Sequence, residues 1–471
     1  MATVDTQHKD YTAMLPTWKK CRDTVQGQKA VHDAGILFLP ALKDQTIEDY
    51  NSYKLRAQFY NAVWRTISAL SGMMFRKPPI IDVAPSVDDL LDDVTMSGID
   101  FQIFAQQVAI EILTSGRLGI LVDYPSQDTS DMTAADAAEL NLRPSMQKYN
   151  AETIINWRTG RVGNQNVLTM VVLIEDFVTL KNEFVEECET HYRVLDLFNN
   201  QYRVRVFRIN DKKEDEQVGE DLFPLMDGKP LDYIPFIFIG VDDTTSKMDE
   251  PPLIDLVDVN LAHYRMNADY AHGLHFTGLP TAVISGYTPD AGDKLYIGSS
   301  SAWAFPDPQA SATFLEFTGG GLGSLRECLA SLENQMSILG ARLLASERKS
   351  TETAQAARIY RAGESSILVA ISQTISIGLT KALNTFSAWA GSPGDWKIEL
   401  NKEFMPPEVT PQELAGILQA WQAGMPGFSD QGVFDLLQKR EVIAADVTLE
   451  DEQSRIDSKP IPKPADAQVV E

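Results

Sequence analysis

Residues 342–390 read RLLASERKSTETAQAARIYRAGESSILVAISQTISIGLTKALNTFSAWA, a short basic loop followed by about forty residues without a proline. Since proline breaks or kinks helices, this stretch predicts one long helix over 352–390, roughly 55–60 Å long at 1.5 Å per residue. Gly391 follows at the predicted end. In the loop, Arg348 and Lys349 are a local exception in a chain whose formal net charge is -25. The stretch therefore predicts a long helix preceded by a positively charged turn.

The bulk composition is typical of a folded, acidic globular protein. The 471 residues exceed the usual size of a single hydrophobic core, so we expect two or three packed regions. Hydrophobic residues make up 44% of the chain, more than a disordered chain of this charge contains. The net charge argues against a surface that coats nucleic acid, because phosphate binding requires clustered cations. Any polyanion must therefore be contacted locally.

Cysteines and apolar runs indicate a reducing compartment and no membrane. The cysteines are odd in number and far apart, so we expect small buried residues instead of a disulfide framework or a metal clip: Cys21, Cys188 and Cys328. The N-terminus lacks the apolar core of a signal peptide, and nowhere do 18 charge-free apolar residues run together. The nearest run, 365–390, is interrupted by Lys381 and other polar residues. It predicts a helix buried in protein.

The N-terminal region is predicted to be mostly helical before its first strand. Apolar residues at three- and four-residue steps predict one amphipathic helix over 46–76, capped by Thr46 and stopped by a Pro-Pro pair. A further helix is predicted over 101–115. It leads through Gly116 into a strand over 118–125.

The middle of the chain changes to strands and then returns to helices. Alternating apolar residues predict an antiparallel sheet region over 148–240, with the charged run 211–221 as a solvated hairpin tip. A helix is predicted over 251–275, because its apolar residues fall on one side. Short strands and turns over 279–318 separate it from a second helix over 323–345, whose leucines have near-heptad spacing.

The C-terminal region is predicted to be small and helical. A strand, WKIELN at 396–401, precedes helices over 411–423 and 430–440. Residues 458–471 are too rich in proline and polar residues to pack, so they predict a disordered tail.

No residue pattern predicts catalysis, a cofactor or a bound metal. The phosphate-binding patterns GxxxxGK[ST] and strand-linked GxGxxG are missing, as are the GxSxG nucleophile and the HExxH zinc pattern. Three histidines share one predicted helix, yet the spacing of His263 from His272 and His275 places it on nearly the opposite side. A metal site on this helix is therefore not predicted. We expect no enzymatic activity, although a site can also be assembled from distant residues.

The order of the predicted elements resembles that of the portal proteins of tailed bacteriophages. YIPFIFIGVDDTTSKMDEPPLIDLVDVNLAHYRMNADYAHGLHFTGLPTAVISG, 233–286, is similar to the approach to the family's first stem helix and its aromatic-glycine-leucine-proline exit. GSLRECLASLENQMSILGARLLASERKSTETAQAARIYRAGESS, 323–366, is similar to the second stem helix, tunnel loop and tunnel helix. The segments 53–79 and 404–425 look like a wing helix and the C-terminal region. The resemblance runs over nearly the whole chain in the same order.

This resemblance implies an α+β portal fold with a defined division of the chain. The implied parts are a wing at 1–250, stem helices at 251–275 and 320–345, a clip at 276–319, a tunnel loop at 346–352, a long tunnel helix with a returning wing strand at 353–401, a helical crown at 402–457 and a disordered tail at 458–471.

The resemblance also implies a function and partners. It implies a homo-oligomeric ring, typically a dodecamer, at one vertex of the capsid in the virion, assembled in the host cytoplasm. Double-stranded DNA passes through such a ring without sequence specificity during packaging and ejection. The terminase large subunit docks first and head-completion, adaptor or tail proteins follow, while major capsid and scaffolding proteins surround the ring. No cofactor and no membrane are implied.

The basic loop acquires a role through this resemblance. Arg348 and Lys349 correspond to a DNA-proximal tunnel loop, whereas composition alone favours an ordinary solvated loop. Residues 342–361 contain five basic and two acidic residues, a net charge of +3, which a ring would repeat as a cationic girdle. Arg358 and Arg361 also stand at helical pairing distance from acidic residues. Candidate intersubunit or channel charges are Arg342, Arg358, Arg361, Asp255, Asp258 and Asp269. The three aspartates fit solvated surface positions equally well.

Two other classes of protein remain open at this point. One is a non-viral oligomeric scaffold, membrane-associated or cytoplasmic, in which 352–390 supports a helical bundle. The other is a hydrolase with scattered catalytic residues. A ring with a central hole favours a portal, small assemblies favour a scaffold, and a deep pocket with convergent His, Asp and Ser groups favours a hydrolase.

Overall fold

The computed structural model describes residues 3–124, 142–278, 281–286, 309–315, 319–340, 354–404, 411–440, 442–444 and 447–458. The chain divides into two compact units, Met1–Lys402 and Glu403–Glu471. The first unit combines helices with antiparallel sheets, and the described part of the second unit is helical. The predicted α+β class is confirmed.

The first unit contains nine of the described helices. They are α1 (Lys9–Gln26), α2 (Gln28–Asp33), α3 (Ile47–Arg56), α4 (Ala62–Met74), α5 (Pro85–Asp88), α6 (Phe101–Ser115), α7 (Ile254–Gly278), α8 (Leu322–Ile338) and α9 (Ala354–Trp389). Its described strands are β1 (Ile80–Asp82), β2 (Arg117–Asp123), β3 (Ser145–Asn150), β4 (Ile154–Val162), β5 (Gln165–Asn182), β6 (Val185–Phe198), β7 (Gln201–Ile209), β8 (Asp215–Leu222), β9 (Leu225–Met226), β10 (Lys229–Pro230), β11 (Phe236–Gly240), β12 (Thr281–Ser285), β13 (Ser311–Leu315) and β14 (Lys397–Glu399).

The single helix predicted over 46–76 is wrong, because the chain forms α3 and α4 with a break between them. Thr46 caps α3 as predicted, accepting a hydrogen bond from the Asp49 amide at 3.2 Å. At Ala57 the backbone becomes extended, and Asn61 starts α4 by accepting from the Trp64 amide. The Asn61 amide group also donates to the Val25 carbonyl on α1. Tertiary bonding therefore outweighs the continuous apolar pattern here.

The predicted connection from α6 into β2 is confirmed. Asp100 caps α6, and Gly116 ends it in the left-handed conformation at φ 74°. A Cβ at Gly116 would lie 2.8 Å from the Glu250 carbonyl oxygen, so only glycine fits this turn. The following β2 is the central strand of an antiparallel sheet in the order β11-β2-β3.

The predicted antiparallel region is confirmed as a five-stranded sheet, β4-β5-β6-β7-β8. Two details differ from the prediction. The segment YIPFIFIG contributes β11 to the three-stranded sheet instead of this one. The charged run 211–221 is mostly the edge strand β8, in which Glu216 lies opposite Arg208 and accepts from its guanidinium at 2.8 Å. Cross-strand ion pairs thus make a charged sequence compatible with a strand.

The long predicted helix is confirmed as α9, Ala354–Trp389. Its apolar residues pack within the first unit, and the fully buried ones include Ile375, Leu379, Leu383 and Phe386. Within the described residues, Ile367–Trp389 is the one helical stretch long and apolar enough to cross a membrane, and over half of its apolar window is buried inside the protein. The returning strand β14 pairs with β1.

The described helices of the second unit are α10 (Pro411–Gln422), α11 (Asp430–Lys439) and α12 (Leu449–Asp457). The first two match the predicted helices, while α12 was not expected. Its start is fixed by a capping box between Thr448 and Asp451. Of the predicted tail, residues 459–471 lie outside the described residues.

Candidate functional site

The candidate site is a helical hairpin formed by α7 and α8. Between the two helices, β12 and β13 pair antiparallel, with Thr281 opposite Leu315 and Ser285 opposite Ser311. The chain therefore leaves α7 and returns to α8 at the same end of the hairpin. The predicted helix–strands–helix order over 251–345 is confirmed for its described residues.

Three contacts fix the two helices as antiparallel along their shared length. A Cβ at Gly273 would lie 2.8 Å from Leu322 Cδ2, and a Cβ at Gly340 would lie 3.9 Å from Leu256 Cδ2. Between them, His263 Nε2 lies 3.6 Å from a Glu333 carboxylate oxygen. Along these three contacts the residue number falls from 273 to 256 in α7 while it rises from 322 to 340 in and just after α8. Only an antiparallel pair has this register.

One side of α7 is anchored on the N-terminal helices. Asn260 is fully buried, accepts from the Ala62 amide at 3.2 Å and donates to the Tyr60 carbonyl at 2.7 Å. Further along, the Asn267 side chain accepts from the Gln58 amide at 2.8 Å. These bonds reach backbone groups in the break between α3 and α4, where the Ala62 amide also donates to the Tyr60 carbonyl at 2.9 Å. The position of α7 is therefore set by specific polar pairs.

Two of the three predicted aspartates have partners within the chain. Asp258 lies 2.6 Å from Lys20 Nζ, and Asp269 accepts from the Tyr53 hydroxyl at 2.6 Å. Burial, together with the Asp269 carboxylate, raises the pKa of the Tyr53 hydroxyl, which therefore stays a donor. Asp255 is exposed in the first turn of α7, where a carboxylate favours the helix dipole. The sequence indicated neither Lys20 nor Tyr53 as a partner.

The predicted basic residues are not assembled into a site by the described structure. Arg342, Arg348 and Lys349 lie outside the described residues. Arg358 and Arg361 lie on the first turns of α9, where only the backbone is described. Their contact with DNA or with a neighbouring subunit stays a prediction.

The histidines of α7 lie in two environments, because the rings of His272 and His275 both pack against Phe276 while His263 lies elsewhere on the helix. His263 is buried against Glu333, and burial lowers its pKa. The ring of His272 packs edge-on against Tyr53 with centroids 5.1 Å apart, whereas the Arg56 guanidinium lies 3.2 Å from His275 Nε2. Among the described residues, no three His, Cys, Asp or Glu side chains cluster as a metal site.

The cysteines correct another expectation. Cys21 is buried, and burial raises the pKa of its thiol to about 12. Cys328 is half-buried on α8, but Cys188 is exposed on β6. The prediction that all three are buried is wrong for Cys188, because its strand extends beyond the rest of the sheet.

One face of α8 is covered by α7, and the rest of the helix is open. Its buried side chains are Leu329 and Met336, which follow the predicted heptad stripe. The polar residues Glu327 and Asn334, on the opposite side from this stripe, are exposed. Within the described part of the chain, no element covers this polar side of α8.

Sequence reasoning missed the junction between the sheet and α7. Arg117, at the start of β2, is 2% exposed, and its guanidinium lies 4.3 Å from the ring centroids of both Trp157 and Phe238. Its Nη1 donates to the carbonyls of Ser246 and Lys247, at 2.9 and 3.2 Å, in the loop before α7. Burial lowers the pKa of Arg117 to about 9. A lone arginine in an apolar strand gives no sequence signal for such a junction.

Comparisons with known proteins give one family match over part of the chain and low similarity to solved structures. A family model described as a domain of unknown function, DUF4055, matches residues 252–390, from α7 to the end of α9. No curated protein matches the sequence.

Among solved structures, the chain is similar to a chain from the virion of a native gene transfer agent (GTA) particle, with 14% identity and a TM-score of 0.40, covering 86% of this chain and 96% of that one. It is also similar to a chain from the neck of an empty GTA particle computed with C6 symmetry, with 12% identity, a TM-score of 0.39 and coverage of 80% and 89%. At these TM-scores the likeness assigns no role to this chain.

Proposed function

We propose that the chain is a portal subunit, one copy of a ring at a capsid vertex through which double-stranded DNA is packaged and ejected. In this proposal the ring also docks the terminase large subunit first and head-completion, adaptor or tail proteins afterwards. The chain performs no catalytic step itself, since translocation is driven by the docked motor. Its place is the portal vertex of the virion.

The observation that carries the proposal is the antiparallel hairpin of α7 and α8 followed by the 36-residue helix α9. These elements fall on the segments that resemble the stem and tunnel of portal proteins, in the same order. A helix of 36 residues is about 54 Å long, which suits an element that supports a loop at a central channel. The open side of α8 is compatible with a neighbouring subunit or an aqueous channel.

The electrostatics of the sequence suit a conduit for DNA. A conduit must not hold its cargo tightly, because each neutralised phosphate adds a salt-dependent increment of affinity. The net charge of -25 repels DNA over most of the surface, while the +3 of residues 342–361 is local. A narrow basic ring in an acidic tube centres the duplex and lets it slide.

Negative-stain imaging of the purified full chain, over a range of protein concentrations, tests the proposal. We expect rings with a central hole wide enough for a duplex. Particles that stay monomeric at every concentration, or closed assemblies without an opening, contradict it.

A charge-removal pair tests the role of the basic loop. We expect Arg348→Ala combined with Lys349→Ala to leave ring assembly intact and to impair DNA packaging or retention. The matched control removes two exposed lysines of the sheet region, Lys212→Ala and Lys229→Ala, and leaves packaging unchanged. Loss of ring assembly in the loop variant would identify the loop as an interface element instead.

A further inference from the structure

The far ends of β5 and β6 form a two-stranded arm, residues 176–189. The sheet neighbour β4 pairs with β5 only up to Leu173, and β7 pairs with β6 only from Tyr192 onward. Beyond these points the two strands pair with each other, Phe177 opposite Glu189 and Leu180 opposite Glu186. At about 3.3 Å per residue, the arm projects roughly 20–25 Å from the five-stranded sheet.

The arm presents apolar side chains that no described part of the chain covers. The exposed fractions of its apolar residues run from 45% for Val185 to 87% for Phe184, and Phe177, Val178 and Leu180 lie between these values. A two-stranded hairpin alone is marginally stable in water. Exposed apolar patches of this kind mark contact surfaces. The arm therefore needs a partner surface.

The charge of the arm restricts what that partner is. Residues 176–189 contain Asp176 and four glutamates against one lysine, a net charge of -4. The opposite end of β5, which we call the β4–β5 end, comprises residues 158–167. It carries Arg158 and Arg161, no acidic residue, and the exposed Val162. Since β5 has 18 residues, the acidic and basic ends lie roughly 60 Å apart.

We propose that the arm of one copy docks on the β4–β5 end of the next copy around the ring. The two surfaces are complementary in charge and each has exposed apolar side chains, yet they stand at opposite ends of one strand and do not meet within a copy. A head-to-tail contact between different surfaces of identical chains closes into a ring when the rotation permits. This inference rests on the proposed function for the closure of the ring.

The outer edge of β4 adds a second reason for this acceptor. Within the described residues β4 is the first strand of its sheet. The segment before α1 covers the start of its outer edge, where the His8 amide donates to the Ile155 carbonyl, and the edge at 158–162 has no strand partner among the described residues. Edge strands of this type accept an added strand through main-chain hydrogen bonds. Both free edges of the arm are of the same kind, which favours strand addition between copies.

Charge reversal in two separate variants tests the contact. The arm variant is Glu183→Lys with Glu186→Lys and Glu187→Lys, which changes the net charge of the arm from -4 to +2, and the end variant is Arg158→Glu with Arg161→Glu. Each variant alone places like charges opposite each other, so we expect its apparent dissociation constant for assembly to rise about tenfold or more at low salt. In an equimolar mixture, each reversed arm meets a reversed end and each native arm meets a native end. The mixture therefore reforms rings, which shows that both variants are folded.

A cross-link locates the contact directly. Cys188 is exposed on the arm, and Asn164→Cys places a thiol in the turn at the β4–β5 end. A short bismaleimide should then give a ladder of covalent multimers, and Ser68→Cys, exposed on α4 and away from the arm, should not. Rings that form normally from both charge variants and give no ladder overturn the inference and leave the proposed function standing. A native chain that forms no rings but gives the ladder supports the contact while the proposed function fails.

Discussion

Replacing Gly378 by alanine tests how tightly α9 is seated on the three-stranded sheet. A Cβ at this position would lie 2.5 Å from both Cγ1 and Cδ1 of Ile239 on β11, which is closer than packed carbon atoms approach. Ile239 is fully buried between its neighbours, so it has no room to withdraw. Alanine gains about 1 kcal/mol of helix propensity over glycine, and overpacking costs about 1–3 kcal/mol. We expect Gly378→Ala to leave stability unchanged or lower it by up to about 2 kcal/mol.

The matched control is Gly72→Ala on α4, in the same unit. No heavy atom lies within 4 Å of a Cβ built there, so only the gain in helix propensity remains. We expect Gly72→Ala to raise the free energy of unfolding by about 0.5–1 kcal/mol. The two substitutions, identical in chemistry, should therefore differ by about 1–3 kcal/mol.

The free energies of unfolding of both variants are measured by urea titration with tryptophan fluorescence as the signal. The same titrations give a double-mutant cycle of Gly378→Ala with Ile239→Ala. Ile239→Ala alone costs about 2–5 kcal/mol because it leaves a cavity. In that background the added methyl of Gly378→Ala meets empty space, so the second substitution should become stabilising. The reasoning is refuted if Gly378→Ala stabilises the native chain as much as Gly72→Ala, or if it still destabilises in the Ile239→Ala background.

Three further predictions concern polar groups, thiols and pH. Asn260→Ala should lower the free energy of unfolding by about 1–3 kcal/mol in denaturant titrations, because it removes two hydrogen bonds of a fully buried side chain while the Ala62 amide keeps its bond to the Tyr60 carbonyl. Asn267→Ala, the outer counterpart, should cost less than about 1 kcal/mol. In native protein at pH 8, iodoacetamide should modify Cys188, while Cys21, with its raised pKa, should react only after unfolding. Peptide mass spectrometry measures the modification of each cysteine. Equal rates at the two cysteines would contradict the burial of Cys21. Burial lowers the pKa of His263 in the folded state, so as the pH falls below about 6.5 the unfolded chain binds a proton before the folded chain does. The free energy of unfolding should therefore decrease below about pH 6.5. His263→Gln should make this decrease smaller in thermal melts.

Local signals explain which elements were predictable. The proline-free stretch gave α9 to within two residues at each end, because its length leaves no competing structure. The cap at Thr46 and the turn at Gly116 could also be predicted from the sequence, since each depends on one residue type and the backbone next to it. The period-two pattern identified four strands of the five-stranded sheet, β4 to β7, for the same reason, and missed the charged strand β8.

Long-range pairing explains what the sequence could not give. β11 reads as part of the strand-rich region, but it pairs with β2, more than a hundred residues earlier. The break between α3 and α4 depends on Asn61 reaching Val25, and the charged strand β8 depends on Arg208 of its neighbour. Such contacts are decided by the tertiary structure and leave no mark in a local window.

The candidate site shows the same limit. Asp258 and Asp269 were singled out for their position on a helix, while their partners Lys20 and Tyr53 lie 238 and 216 residues away in the chain. The prediction for Arg348 and Lys349 depends on the resemblance to portal proteins and on symmetry, because a single chain does not contain the neighbours that would define a channel.

The junction at Arg117 has a mechanical consequence. A displacement of the loop that leads into α7 would pull the Ser246 and Lys247 carbonyls away from the guanidinium, which would then stay buried between two aromatic rings without those acceptors. Stranding a buried cation in this way costs about 3–5 kcal/mol. Movement of this loop away from the sheet is therefore opposed at a single side chain, which fixes the place where the chain enters the helical hairpin.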